Sequence, residues 1–393
     1  MVEVAEVRLR FQLLAFSLTR VVVNTSFRML YPFLPFIAAG IGVDENTLTN
    51  AIALRSSLGA AGPLLGSAGD RYGRKTAMIF GMALFLIGMA AVAIWPTYPA
   101  LFAALLLTAA SKIVFDPTMQ AYLGDRVPYA RRGLAIALTE FGWSGAYLLG
   151  VPLVGWLIAR SEWHSPFLWL ALLGAGVTYW LWRILPPDSA HVVERPSLVQ
   201  GIRLILSHQA VVAALGVGAM ITASNETVNI VYGVWMNDTF GLQVEALGAS
   251  VIVIGVSELL GEGLVGGLSD RLGKRRTLGI GLAFYALACL FLPVVGSSLE
   301  GALIGLFIFF LSFEFTLVST IPLMTELVPG ARATLLSVNA TVFWLGRAFG
   351  ALIGDDLFVH GLQANSVVAA GMNLAGLALL LLFVREANHG QTR

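Results

Sequence analysis

Gly66-Ser-Ala-Gly-Asp70-Arg71-Tyr-Gly73-Arg74-Lys75-Thr76 is written twice in this chain. The second copy, GGLSDRLGKRRT, runs from Gly266 to Thr277. Gly66, Asp70, Arg71 and Gly73 return as Gly266, Asp270, Arg271 and Gly273, each 200 positions on. A second echo sets Asp125-Arg126-Val127-Pro128 against Glu326-Leu327-Val328-Pro329. A weaker one pairs Asn24 with Asn225 and Tyr31 with Tyr232. Repeats of this length mean a duplicated bundle.

Each copy lies between two long apolar runs. Of the 393 residues 57% are hydrophobic and 12% charged, and the mean hydropathy is +0.81. A soluble domain carries about twice that share of charge. A hydrocarbon slab takes about 20 apolar residues per helix. Twelve such segments are expected, roughly at 11–38, 46–67, 76–95, 99–123, 133–159, 165–185, 210–236, 245–268, 277–296, 300–325, 333–357 and 364–384. The mixed charges of Met1–Arg10 argue against a cleaved signal peptide. Cys289 is the only cysteine, so no internal disulfide is possible.

Charge placement orients the segments. Of the 24 Lys and Arg residues, 18 fall at the termini and in the even-numbered connections, and one, Arg160, in the odd-numbered ones. Both termini therefore face the cytoplasm. The polar stretch at 186–209, with Pro186 and Pro187 at its start, reads as a cytoplasmic linker with a short surface helix at 198–206. The expected fold is an all-α membrane protein. Its two pseudo-symmetric six-helix bundles lie at 1–185 and 210–393.

The repeated loop has a physical reading of its own. Gly66 and Gly266 let helices approach closely. Asp70 and Asp270 can cap a helix N-terminus, where a carboxylate contributes about 0.3–1 kcal/mol. Arg71, Arg74 and Lys75 suit an anionic inner leaflet. On these residues the chain resembles the major facilitator superfamily, whose signature is G-x-x-x-D-R-x-G-R-R/K between the second and third helices. The resemblance covers the whole chain. It implies a monomeric secondary transporter, with Gly66, Asp70, Arg71, Gly73, Arg74, Gly266, Asp270, Arg271 and Gly273 as its gating motif. It also implies that the first, fourth, seventh and tenth helices border a central cavity. Two further family motifs are partial. In the fourth segment Lys112 and Asp116 stand where an arginine and a glycine are usual. In the fifth, Gly142, Gly145, Gly150-Val151-Pro152 and Gly155 approximate an antiporter pattern, which ordinary small-residue packing explains equally well.

Eleven ionisable residues fall inside the segments: Arg20, Arg28, Arg55, Lys112, Asp116 and Glu140 in the first half, Glu226, Glu258, Glu262, Glu314 and Arg347 in the second. A charge near the midplane costs on the order of 3 kcal/mol by insertion scales, so each needs a partner or a wet cavity. The first half carries an excess of two positive charges and the second an excess of three negative ones. Arg20, Asn24 and Arg28 recur every four residues along one stripe, with Tyr31 close to it. Lys112 and Asp116 are one turn apart and can pair. Residues expected to bind substrate or proton are Arg28, Lys112, Asp116, Glu226 and Glu314, with Asn24, Tyr31, Arg55, Glu140 and Glu258 beside them. Arg20, Glu262 and Arg347 read as struts. Phe27, Tyr31, Trp143, Tyr232 and Trp344 suit an amphipathic cavity lining.

These features exclude several classes. No phosphate-binding G-x-x-x-x-G-K-S/T stretch exists, which removes ATP-driven transport. All five histidines fall in loops or termini, which argues against an intramembrane enzyme or a metal site. A receptor or scaffold does not need so many buried charges. The expectation is a proton-coupled exporter of a small organic or amphipathic solute, with no cofactor beyond the coupling proton and no nucleic-acid partner, in the inner (plasma) membrane. The alternative is uptake or exchange of an anionic or zwitterionic solute, motivated by the basic first half.

Overall fold

The computed structural model describes residues 2–66, 68–127, 129–188, 203, 205–327 and 332–384. Among these there are helices and no strands. The main helices are α1 (Val2–Arg28), α2 (Leu30–Ile41), α3 (Glu45–Ser57), α4 (Arg74–Ile94), α5 (Tyr98–Arg126), α6 (Tyr129–Gly145), α7 (Val151–Arg160) and α8 (Ser165–Ile184). The second half adds α9 (Gln209–Asn229), α10 (Tyr232–Phe240), α11 (Val244–Leu272), α12 (Lys274–Val295), α13 (Leu299–Leu327), α14 (Arg332–Phe358) and α15 (Leu362–Phe383). Among the described residues ten helices are long and apolar enough to cross a membrane, or eleven with the bent pair α1–α2 counted as one span. The expected span at 46–67 is broken instead: α3 runs into a 3-10 turn, Leu58–Ala61, and a short helix, Gly62–Leu65. Gly59, Gly62 and Pro63 account for the interruption. Most of the 186–209 linker, including six of the nine residues of the expected surface helix, lies outside the described residues.

The bend of 52° between α1 and α2 also has a local cause. Pro32 has no N–H to give the Arg28 carbonyl, and Pro35 leaves the Tyr31 carbonyl without its helical donor. The freed end of the Tyr31 turn is where α10 approaches: a Cβ on Gly233 would lie 2.3 Å from that carbonyl oxygen and 2.6 Å from that of Pro32. Only glycine allows so close a contact.

By contact the chain forms two compact units. The first is Met1–Glu194 with Tyr232–Val256, and the second is Arg195–Val231 with Ser257–Arg393. Within the first unit α7 meets the start of α11 at Gly155 and Gly248, where an added Cβ on either would stand 3.1–3.2 Å from the other's Cα. Arg160, the lone basic residue of the odd-numbered connections, sits 3.4 Å from Glu245. The sequence repeat returns in the backbone. Gly73 at φ +96° and Gly273 at φ +87° each precede a helix, in a left-handed region that other residues rarely adopt.

Candidate functional site

The first unit holds a polar core on α1, α5 and α6. Glycines set its geometry. An added Cβ on Gly142 would be 2.4 Å from the Arg20 Cβ, and one on Gly150 would be 1.8 Å from the Thr25 Oγ1. The glycine-rich stretch of the fifth span is thus a close-packing face against α1. Over it, three residues of the α1 stripe donate to backbone carbonyls: Arg20 to Thr139 at 3.0 Å, Asn24 to Gly142 at 3.0 Å and Arg28 to Trp143 at 3.1 Å.

The charges within this core are paired. Lys112 Nζ lies 2.7 Å from Asp116 Oδ2 and donates to Asn24 Oδ1 at 2.7 Å. Arg20 meets Glu140 at 2.7 Å and Asp116 at 3.5 Å. Two bases and two carboxylates therefore neutralise one another across three helices. Arg28 lies over two aromatic faces, 3.5 Å from the Tyr147 ring centroid and 4.2 Å from that of Trp143. Lys112 approaches the same indole at 5.3 Å. Arg55, fully buried, stacks on Phe27 at 3.5 Å and donates to the Tyr31 hydroxyl at 3.2 Å and the Phe27 carbonyl at 3.2 Å. A π-helical turn, Ala146–Gly150, carries Tyr147, and such turns are common at functional sites.

The second unit repeats the scheme. Gly346, Gly350 and Gly354 of α14 pack on α9. An added Cβ on Gly350 would lie 2.9 Å from the Glu226 Cβ. This close approach brings Arg347 to within 3.0 Å of the fully buried Glu226. Glu258 and Glu314 are also buried, and an added Cβ on Gly261 would lie 3.1 Å from the Glu314 Cβ.

Of the residues singled out in the sequence, the structure joins Asn24, Lys112 and Asp116 directly, links Glu140 to them through Arg20, and sets Arg28 beside them through Trp143. Arg20, read as a strut, holds the centre of that group. Arg347, also read as a strut, pairs with a candidate site residue. Tyr147 was missed, although it lies four residues beyond Trp143 and so on the same face. In the repeated loop Arg74 Nε lies 3.3 Å from Asp125, joining the two sequence echoes, and Arg71 lies over Tyr72 at 5.3 Å. A Cβ on Gly66 would meet the Gly62 carbonyl at 2.8 Å. The side chains of Asp70 and Asp270 and the surroundings of Gly266 lie outside what the structure describes, and the Arg271 side chain is exposed. No group of three or more candidate metal ligands occurs among the described residues.

Comparison with known proteins places this architecture. The sequence profile of the Major Facilitator Superfamily matches residues 16–351 and 215–393, and the chain belongs to that family. It is 28% identical over 98% of both chains to the inner membrane transport protein YdhP of Escherichia coli (strain K12). It is 27% identical to the MFS-type transporter YceJ of Bacillus subtilis over 86% of each chain. Among solved structures, a POT family transporter superposes with a TM-score of 0.78 over 95% of each chain at 15% identity. The inward-open xylose transporter XylE from E. coli gives a TM-score of 0.73 over 96% of this chain and 97% of its own, at 18% identity. The protein is thus a multi-pass membrane transporter and not an enzyme.

Proposed function

We propose that this transporter exports small organic solutes across the inner membrane in exchange for protons. The observation that carries the reading is the set of carboxylates held inside the spans: Asp116 and Glu140 in one polar core, Glu226, Glu258 and Glu314 in the second unit. Intramembrane acids are costly and mark proton relays and substrate paths. A carboxylate that can pair with a protonated group or with a substrate's positive group, and not both at once, yields exchange by competition. The direction is supported by two more relatives. They are multidrug resistance protein 2 of Bacillus subtilis, 21% identical over 83% of each chain, and the PmrA efflux pump homolog of Lactococcus lactis, 24% identical over 85%. The repeated loop, through Asp70 and Asp270, would gate the cycle.

The test is reconstitution into liposomes that enclose a pH-sensitive dye, screened against a panel of organic cations, anions and neutral solutes. Lumenal pH should respond to a subset of the panel and only when protein is present. A solute that moves while lumenal pH and an added protonophore have no effect would remove the proton from the account. A second reading, carriage of an anionic or zwitterionic solute, is favoured by Arg28 and Arg55, whose guanidinium groups are laid on aromatic faces inside the first unit.

A further inference from the structure

We infer that Lys112 carries the exchanged proton, and that its ammonium group is a tethered stand-in for an organic cation at Asp116. The inference rests on the proton-exchange reading above and adds to it the titrating atom and the substrate class.

Four observations support it. Lys112 Nζ makes a charged contact with Asp116 at 2.7 Å, the geometry a bound primary amine would adopt there. Asn24 is fixed by its own donation to the Gly142 carbonyl, so its Oδ1 is presented to Lys112 as an acceptor. That acceptor serves the ammonium and the neutral amine alike, because the amine keeps two N–H groups. Arg20 is committed elsewhere, bonded to Glu140 at 2.7 Å and to the Thr139 carbonyl at 3.0 Å, and reaches Asp116 only at 3.5 Å. Trp143 lies 5.3 Å from the ammonium and offers a ring face on which a displaced or incoming cation can rest.

The charges around Lys112 fix the balance. From α1 come Arg20 and Arg28, from α5 Asp116, from α6 Glu140. Arg55 on the neighbouring α3 is turned onto Phe27. In the observed state Arg20 and Lys112 balance Asp116 and Glu140. When an organic cation binds Asp116, the Lys112 –NH3+ becomes –NH2 and its proton leaves to water. Arg20 and the substrate then balance the same two carboxylates. One positive charge replaces another, so the net charge of the cluster is the same before and after exchange. An arginine at this position could form the same ion pair but could not release the proton. The ligand class that follows is a monovalent organic cation with an apolar or aromatic body.

Tetraphenylphosphonium, which has no proton of its own, is the probe. It is titrated into purified protein in weakly buffered detergent solution, with binding followed by equilibrium dialysis and proton release by a pH indicator. Wild-type protein should release about one proton per cation bound. Lys112→Arg should release none and bind about tenfold more weakly or worse. Lys112→Met should bind the cation without releasing a proton. Proton release that persists in both variants overturns the role of Lys112 while leaving proton exchange itself intact. A wild-type protein that binds no tetraphenylphosphonium, or binds it without proton release, overturns the cation exchange on which the inference stands.

Discussion

Asp188 caps α4 through Thr76: its carboxylate accepts from the Thr76 hydroxyl at 2.7 Å and the Thr76 N–H at 3.0 Å, and from the Lys75 N–H at 2.8 Å. The partner loop returns the contact. Lys75 Nζ donates to the carbonyls of Trp182 and Leu185 at 2.6 and 2.8 Å, closing the C-terminal end of α8. Gly73 makes room, since a Cβ there would stand 2.2 Å from the Asp188 Cγ. Partial burial pushes the Asp188 carboxyl up, but the bonds from Thr76 and Lys75 and the Lys75 charge outweigh it and hold it below the usual carboxylate range.

Asp188→Ala should therefore destabilise the first unit by about 0.5–2 kcal/mol, the usual worth of a cap. The sign with pH follows from the lowered carboxyl. Its contribution is complete above the unfolded-chain value of about 3.9 and is lost only as pH falls through the lower folded value. Thermal melts of the two proteins should differ at neutral pH and converge only in strong acid. Convergence already at pH 6 would contradict the cap.

Gly142→Leu tests the packing of α6 on α1. The new side chain would drive into the Arg20 Cβ and the Ser17 carbonyl, 2.4 and 3.1 Å from an ideal Cβ. Separating the helices breaks the bonds from Arg20 and Asn24 to α6. Transport should fall severalfold or more while insertion, read by membrane-fraction yield, is retained. Wild-type transport in this variant would show that the close approach is dispensable.

Arg20 and Glu140 should behave as a unit. Removing Arg20 alone leaves Glu140 and part of the Asp116 charge uncompensated, a loss of up to about 3–5 kcal/mol for a fully buried pair. The expected loss is smaller here, because the Glu140 side chain is 32% exposed. Arg20→Met should thus be more damaging to stability than Arg20→Met combined with Glu140→Gln. Strictly additive effects in a double-mutant cycle would deny the pairing.

Arg28→Ala separates the two substrate classes. For an anionic solute, affinity should fall about tenfold or more, and Arg28→Lys should recover only part of it. For an organic cation, loss of Arg28 should leave binding unchanged or improve it. A titration of both variants with any transported solute decides between them.

Much of this was legible in the sequence, for physical reasons. Spans and the loop repeat follow from hydropathy and from fixed offsets such as Gly73 and Gly273, because a positive φ demands glycine wherever the turn recurs. Lys112 with Asp116 followed from helical spacing alone. The partners from other helices did not. Nothing in the spacing of Arg20 points to Glu140, which lies 120 residues away, and helix neighbours are set by Gly142 and Gly150 only after folding. The broken second span was hidden for another reason: hydropathy registers Gly59, Gly62 and Pro63 as tolerable, while the backbone does not. Asp188 sits in a stretch that reads as linker, and its role depends on a loop 112 positions upstream.

The most direct test of proton exchange is net solute flux in proteoliposomes under pH gradients of opposite sign, with the membrane potential clamped. The account predicts that solute accumulates on the acid side and that reversing the gradient reverses the flux. Equal flux under both gradients, or accumulation on the alkaline side, would contradict it.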